Sequence, residues 1–506
     1  MNPRTADKGQ GDVTFMDRSD EAQGDMLSTG SEEPKGLSRR EFLKIAGAAG
    51  VVVGLGTGLG GALAACGSTN PATTMATTAT SAPASTTTAA PQTTTTVAAT
   101  TTSVSAAAEL GRPIKLGYVV PITGPLAPFA SGAQWAKKHF EDAVVDGLVL
   151  ADKKRHLFQV VLKDTQSDAN RAGGITGDLI SSDKADIVLA AGTPETVNPA
   201  LAVCEAFGCP MISDWAEWHS FVSQAPAAGF KWGYTFAFDD VGTCLNFCEV
   251  LKQAQTNNVL GLVLANDIDG ITASKWAPGV FAGNGYKVVA TDLYNPGAED
   301  FTQQLSTMNK AGCEILVAVM LTPDFTTMWT QAHQQGFKPR VAFGHKGLIF
   351  PESVVALGEV GYNLCCAGTW TPKAHFIDSL TGKNCQQIAD EYEAFSNQQW
   401  SEALIISALF EWTVDVFKRV SDIESKQAVV DAIKTTNFKS ILGSIDFTAP
   451  VKDNTRHPHP NCCVPVQAAG QWIKATSGKW KVDKQILFTT DPTAVEVDGT
   501  LQPLVY

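Results

Sequence analysis

Charge is sparse in this sequence, and basic charge is the sparser kind. Only 18% of the 506 residues are charged, with 38 Lys and Arg against 51 Asp and Glu, a formal net charge of −13. A protein that grips nucleic acid shows a basic face, so that class is excluded. Familiar catalytic signatures are missing too: there is no H-E-x-x-H, no G-x-S-x-G and no P-loop. A site dispersed over the eight His and the many carboxylates would leave no such signature, so an enzyme stays as an alternative. There is no tandem repeat of fixed short period. What is present is apolar material, 44% of the chain, which excludes a wholly disordered protein. Length alone suggests about three domains at roughly 150 residues each. The composition is uneven, so that count needs correcting.

The first 66 residues read as an address. Residues 1–36 are polar and without apolar periodicity. They lead into Ser38-Arg39-Arg40-Glu41-Phe42-Leu43-Lys44 and an uncharged run, Ile45–Ala65. A basic segment ahead of an apolar one is the layout of an export signal. The paired arginines are similar to the twin-arginine signal, S-R-R-x-F-L-K, at every specified position. Seven of the 21 residues in the run are Gly, which keeps it weakly hydrophobic. The competing reading is a permanent anchor, since ~20 apolar residues span a bilayer. The run closes on Leu63-Ala64-Ala65-Cys66, which resembles the lipobox of bacterial lipoproteins, with Cys66 carrying the lipid. One acyl chain binds a membrane marginally, and two or more hold it firmly. Gly56-Thr57-Gly58-Leu59-Gly60-Gly61 spells G-x-G-x-x-G, but no strand precedes it, so it is set aside as a nucleotide site.

From Pro71 to Ala108, 34 of 38 residues are Ala, Thr, Ser or Pro, and no charge occurs between Gly67 and Ala108. Such a segment has nothing to build a core with and reads as a tether spanning roughly 35 Å on average. Beyond residue 66 there remain 31 basic and 42 acidic side chains, a balance of −11 carried by the body.

In that body, strands and helices alternate. Apolar strands are predicted at Lys115–Val120, Phe158–Leu162, Asp186–Ala190 and Pro210–Ser213, with helices at Leu126–Val145, Arg171–Ser181 and Thr196–Phe207. The pattern restarts with strands Val259–Ala265, Lys287–Leu293, Glu314–Met320 and Val341–Gly344 around helices Thr272–Phe281, Phe301–Lys310 and Phe325–Gln335. Helices Cys385–Asn397, Glu402–Val420 and Lys426–Thr435 follow, then short strands near Ser444–Phe447, Pro465–Ala468 and Trp480–Val482. Short apolar runs alternating with amphipathic helices imply parallel, doubly wound sheets. Two sets imply two α/β lobes.

The stretch Ile114-Lys115-Leu116-Gly117-Tyr118-Val119-Val120-Pro121-Ile122-Thr123-Gly124-Pro125 resembles the start of type I periplasmic binding proteins, and within them the leucine/isoleucine/valine-binding family. Asp164–Asp168, Leu189–Thr193, Gly208-Cys209-Pro210-Met211-Ile212-Ser213, Gly336-Phe337 and Gly470-Gln471-Trp472 match further family segments in order. The resemblance covers Ile114 to about Phe488. It implies two lobes joined by three crossovers, a three-stranded hinge, and a small solute held in the cleft. It also implies delivery to the permease and ATPase subunits of an ABC importer. The domains expected are a signal peptide at 1–65, the lipidated Cys66 with its tether at 66–110, and a bilobed body at 111–506. Lobe 1 is placed at about 111–238 plus part of 368–450, and lobe 2 at about 239–367 plus part of the C-terminal region.

The resemblance also points to a pocket. The loop Gly192-Thr193-Pro194-Glu195-Thr196 opens a helix, whose free amides suit an anion. Thr193 and Thr196 offer hydroxyls. Glu195 is an awkward neighbour for an anion, and first-turn dipole pairing is its bland role. Trp215, Glu217 and Trp218 stand where the family has small residues. The two Trp imply either stacking on a flat ligand or a smaller, filled pocket, and at least one of them is expected in the core. Phe129 takes the place of an aromatic that covers the ligand, and Trp370 is a further wall, although either would serve equally in the core. Asp269 and Thr322 fall where the family often has aromatics. At Phe343-Gly344-His345-Lys346-Gly347 the amino-acid-binding members carry an acidic residue. His345 and Lys346 here imply a welcome for a carboxylate and put a leucine-like solute in doubt. Asp269, Glu195 and Glu217 are the alternative partners for an ammonium.

Eleven cysteines are many for a reducing compartment. With Cys66 lipidated, ten remain for disulfides, Cys204 and Cys209 being near enough in sequence to close a short loop. Cys244 and Cys248 share a helix face. Cys365-Cys366 and Cys462-Cys463 sit on expected strands, where neighbours point oppositely. A metal site at His457, His459, Cys462 and Cys463 is the weaker alternative to a Pro-punctuated loop. No cofactor is expected. The expectation is therefore a monomeric, membrane-anchored, extracytoplasmic solute-binding lipoprotein without catalysis, taking an amino acid, carboxylate or aromatic acid. A ligand-binding sensor for a membrane receptor is the other alternative, besides an exported enzyme.

Overall fold

The computed structural model describes residues 108–226, 229–449, 451–452 and 458–506. The export signal, Cys66, nearly all of the tether and His457 lie outside the described residues.

The apolar runs form strands, and the central ones are buried on both faces, as parallel strands sandwiched by helices must be. Strand β1 (Ile114–Val120) is buried at every position but Lys115. It pairs in parallel with β2 (Phe158–Asp164) and β3 (Ile187–Ala190). Next come β4 (Met211–Ser213) and β5 (Gly233–Phe236), again parallel. The second sheet has β6 (Val259–Leu264), β7 (Lys287–Ala290), β8 (Ile315–Val319), β9 (Val341–Gly344) and β10 (Leu364–Gly368). Strand β11 (Cys462–Cys463) returns to the first sheet beside β5, while β12 (Ala468–Lys474) and β13 (Val482–Thr489) complete the second. The orders are β11-β5-β4-β3-β1-β2 and β13-β12-β10-β9-β8-β6-β7. The chain thus passes between sheets three times: from β5 to β6, from β10 to β11, and from β11 to β12.

The helices are α1 (Ala133–Ala143), α2 (Ala169–Ser181), α3 (Pro194–Phe207), α4 (Trp218–Val222), α5 (Asp240–Leu251), α6 (Ile268–Gly283), α7 (Thr302–Lys310) and α8 (Thr322–Gln334). They continue with α9 (Pro351–Leu357), α10 (Cys385–Ser396), α11 (Ala408–Arg419) and α12 (Lys426–Lys434). The helix expected over Leu126–Val145 is divided into a 3₁₀ turn, Ala127–Ala130, and α1. Gly132 stands at the break, where a Cβ would lie 2.6 Å from the Ala403 carbonyl oxygen. The helix expected over Glu402–Val420 likewise starts as a 3₁₀ turn, Glu402–Ser407. The strand expected at Pro465–Ala468 is instead a link, with β12 starting at Ala468. Both Cys-Cys pairs do lie on strands, β10 and β11.

The disulfide expectation is corrected. All ten described cysteines are buried thiols without a bridge. Burial pushes Cys209 and Cys463 up to about 11, so they behave as small hydrophobes. Among the described residues no group of three or more His, Cys, Asp or Glu is placed to hold a metal. No described helix is long and apolar enough to cross a membrane.

Candidate functional site

In parallel sheets the loops that leave the strands' carboxyl ends share one edge, and these loops form the cleft. After β1 comes Phe129, after β3 Thr193, and after β4 Trp215 and Glu217. From the second sheet come Asp269 after β6 and His345 and Lys346 after β9. All seven line one cavity between the lobes. That cavity is only about 10 Å³, room for about one water.

Aromatic rings occupy the space. Phe129 meets Trp215 edge-on at 5.3 Å and Phe350 edge-on at 5.0 Å. Trp215 also stacks on Phe238 at 5.7 Å. Phe350, contributed by the loop after β9, thus packs against two rings of the first lobe, Phe129 and, at 6.1 Å, Trp215. Trp215 is packed among neighbouring rings beside a small cavity. Trp215 is held at φ 62, a left-handed conformation that a bulky residue rarely adopts, and such strain clusters at functional sites. Trp218 turns away and bonds the Asp239 carboxylate through Nε1 at 3.0 Å.

Lys346 Nζ lies 2.8 Å from Asp267 Oδ2 and 2.7 Å from Asp269 Oδ2. Asp267 also caps α6, accepting from the Gly270 amide at 2.8 Å. Burial opposes the charge on Lys346, but Asp267, Asp269 and Glu195 outweigh it and hold the ammonium well above its usual range. Burial pushes Asp269 up to about 7 against the pull of Lys346. His345 Nε2 lies 3.2 Å from Glu217 Oε1. Burial and then Lys346 hold His345 down to about 3. Burial, then Asp240 and Asp269, hold Glu217 well above the carboxylate range. Burial thus pushes both members of this pair toward their neutral forms. Of the two groups expected to welcome a carboxylate, Lys346 is already paired with two carboxylates and His345 is held toward its neutral form.

The remaining candidates are placed differently. Glu195, in the first turn of α3, accepts from the Ile268 amide of the other lobe at 3.1 Å. Pro194 and Thr196 are buried in the start of α3, and Thr196 Oγ1 donates to the Thr193 carbonyl at 3.3 Å. Gly192 makes this possible, since φ is +130 and a Cβ would lie 2.8 Å from Thr196 Oγ1. Thr322 serves structure, donating to the Gly347 carbonyl at 3.1 Å. Trp370 packs on Trp400 at 5.8 Å, off the cavity. Asp267, Phe238, Ile349 and Phe350 were not anticipated. Outside the filled cavity is a chamber of about 300 Å³, with Leu126 and Glu195 on one side and Asp267, Pro323 and Asp324 on the other. Lys346 bonds Asp267, which lines the chamber, and Asp269, which lines the cavity. A larger hollow of about 410 Å³ lies under residues 501–506, away from the facing loops.

Residues 113–471 match the family model described as periplasmic binding protein. The chain belongs to the periplasmic binding protein family. Solved family-like folds align along most of this member. A leucine-binding protein of Thermotoga maritima aligns at 16% identity and TM-score 0.59, over 75% of this chain and 99% of its own. An ABC-transporter solute-binding protein of Rhodopseudomonas palustris, in complex with 3,4-dihydroxybenzoic acid, aligns at 14% and 0.61, over 76% and 98%. A branched-chain amino acid transporter protein of Streptococcus pneumoniae, in complex with isoleucine, aligns at 18% and 0.58, over 74% and 99%. No protein of curated function matches in sequence. For this periplasmic binding protein the fold is thus shared, while the acid-rich, ring-filled cleft is read from its own residues.

Proposed function

We propose that this chain is the lipid-anchored solute receptor of an ABC importer: it takes a small organic solute into its cleft and presents it to a permease without altering it. The observation that carries this is convergence. Loops from both sheets place seven predicted residues around one cavity, and Glu195 reaches across to Ile268. Ligands of doubly wound sheets bind beyond the strands' carboxyl ends, which is where this cavity lies. Closure of two lobes around a solute gives a permease a shape to read. Relatives with this fold are binding proteins for amino acids and hydroxybenzoates. Cys66 and the tether supply the membrane attachment outside the cytoplasm, and a monomer suffices because one chain builds the whole cleft.

A thermal-shift screen of the full-length chain over varied small metabolites tests this reading. A solute at 100 times its Kd adds about 2.7 kcal/mol and raises the unfolding midpoint. A varied library in which no member raises it would contradict solute binding.

A further inference from the structure

Buried polar groups nearly always have partners. At the lobe seam several have none. Thr193 Oγ1, Trp215 Nε1, Asp269 Oδ1 and His345 Nδ1 all line the small cavity and lack a hydrogen-bond partner. All four residues are at most 6% exposed. Beside them, both oxygens of the fully buried Asp214 are also unpartnered, as is Glu195 Oε2 at the chamber. A closed cleft with so many unmet groups in one place is a mould for polar atoms that a bound solute supplies.

The sign of that mould is acidic. Among the described residues lining cavity and chamber, Lys346 is the one charged cation, and Asp267 and Asp269 already take it. Glu195, Asp267 and Asp324 add acidic groups on the chamber side. An arriving carboxylate meets no free cation here. An arriving ammonium meets Asp269 Oδ1, with the chamber carboxylates behind it. The rings of Phe129, Trp215 and Phe350 must part to admit a solute, and aromatic faces attract organic cations. Trp215 Nε1 and Thr193 Oγ1 supply donors for a hydroxyl or carbonyl oxygen.

Resting on the solute-binding reading above, we infer that the solute is a small organic amine, cationic, with a hydroxyl or carbonyl oxygen and no free carboxylate, whose ammonium is bound by Asp269 Oδ1. Two matched series test this on the full-length chain by thermal shift and calorimetry. One is tyramine, tyrosine and 4-hydroxybenzoate; the other is leucinol, leucine and 4-methylpentanoate. The amine-only members should bind best, and Asp269→Asn should weaken them at least about tenfold, as loss of a charge-assisted hydrogen bond does. Thr307→Val, exposed on α7 and far from the cavity, should leave that binding unchanged. A carboxylate-only member that binds as tightly as its amine partner overturns the amine assignment while leaving solute binding intact. So does amine binding that survives Asp269→Asn. Failure of both series, with some other uncharged or anionic solute stabilising the chain, overturns it as well. Failure of every solute overturns the underlying reading instead.

Discussion

Replacing Lys346 by Met removes the one cation from a seam that holds Asp267 and Asp269 against it at 2.8 and 2.7 Å. Met nearly fills the volume of the lysine stem, so packing changes little. The charge loss dominates. Lys346 is 4% exposed and Asp269 3%, so solvent cannot take over the role of counter-ion. Breaking a buried pair by removing one partner costs about 3–5 kcal/mol, because the other charge is left uncompensated. Urea unfolding at neutral pH should show this as a lower midpoint with unchanged m. Adding Asp269→Asn to Lys346→Met removes one orphaned charge. It should restore part of the loss, with a coupling of about 0.5–3 kcal/mol. The reasoning is refuted if Lys346→Met costs under about 1 kcal/mol, the scale of an exposed pair. That outcome would mean the ammonium is free in solution, available to an anionic solute after all.

Acid stability carries a second signature. His345 is held down to about 3 from an ordinary 6.5, so the unfolded chain binds the proton more readily. Its stability contribution is full above pH 6.5 and drains as pH falls toward 3, by about 4–5 kcal/mol. His345→Gln should flatten that limb of a pH series of urea titrations, and an unchanged limb would show an imidazole that protonates freely. Gly270→Ala should lower the urea midpoint by about 1–3 kcal/mol, since its Cβ would lie 1.9 Å from the Ala265 carbonyl oxygen. Trp370→Ala should cost about 3–5 kcal/mol as a core truncation yet leave solute Kd within about twofold, because it packs on Trp400 outside the cleft. Cys66→Ser should move the exported chain from the membrane fraction to the soluble one; retention in the membrane would favour a permanent anchor at Ile45–Ala65.

The sequence was most legible where local pattern and burial agree. Val341–Gly344 and Phe158–Leu162 read as strands because apolar runs too short for helices had turn residues on both sides. The family segments placed the facing loops, and with them Phe129, Thr193, Trp215 and Asp269. It was least legible where a contact decides the chemistry. Lys346 and Asp269 are 77 residues apart in sequence, so nothing local says that one neutralises the other. The capping role of Asp267 was available in principle, from an Asp three residues before Gly270 at a helix start. Phe350 left no signal, because an aromatic in a loop looks the same whether it fills a cleft or a core. Gly132 split a helix for a tertiary reason, the close approach of Ala403. The ten thiols were misleading because a cysteine count cannot tell a buried thiol from half a bridge.

The most direct test of the account is a calorimetric titration of the full-length chain with whichever solute the thermal screen selects, repeated on Asp269→Asn. Saturable binding of one solute per chain is expected, with heat capacity falling as the cleft buries apolar surface, and at least about tenfold weaker binding in the variant. Saturable binding of undiminished affinity in Asp269→Asn would contradict the placement of the solute at this acidic seam.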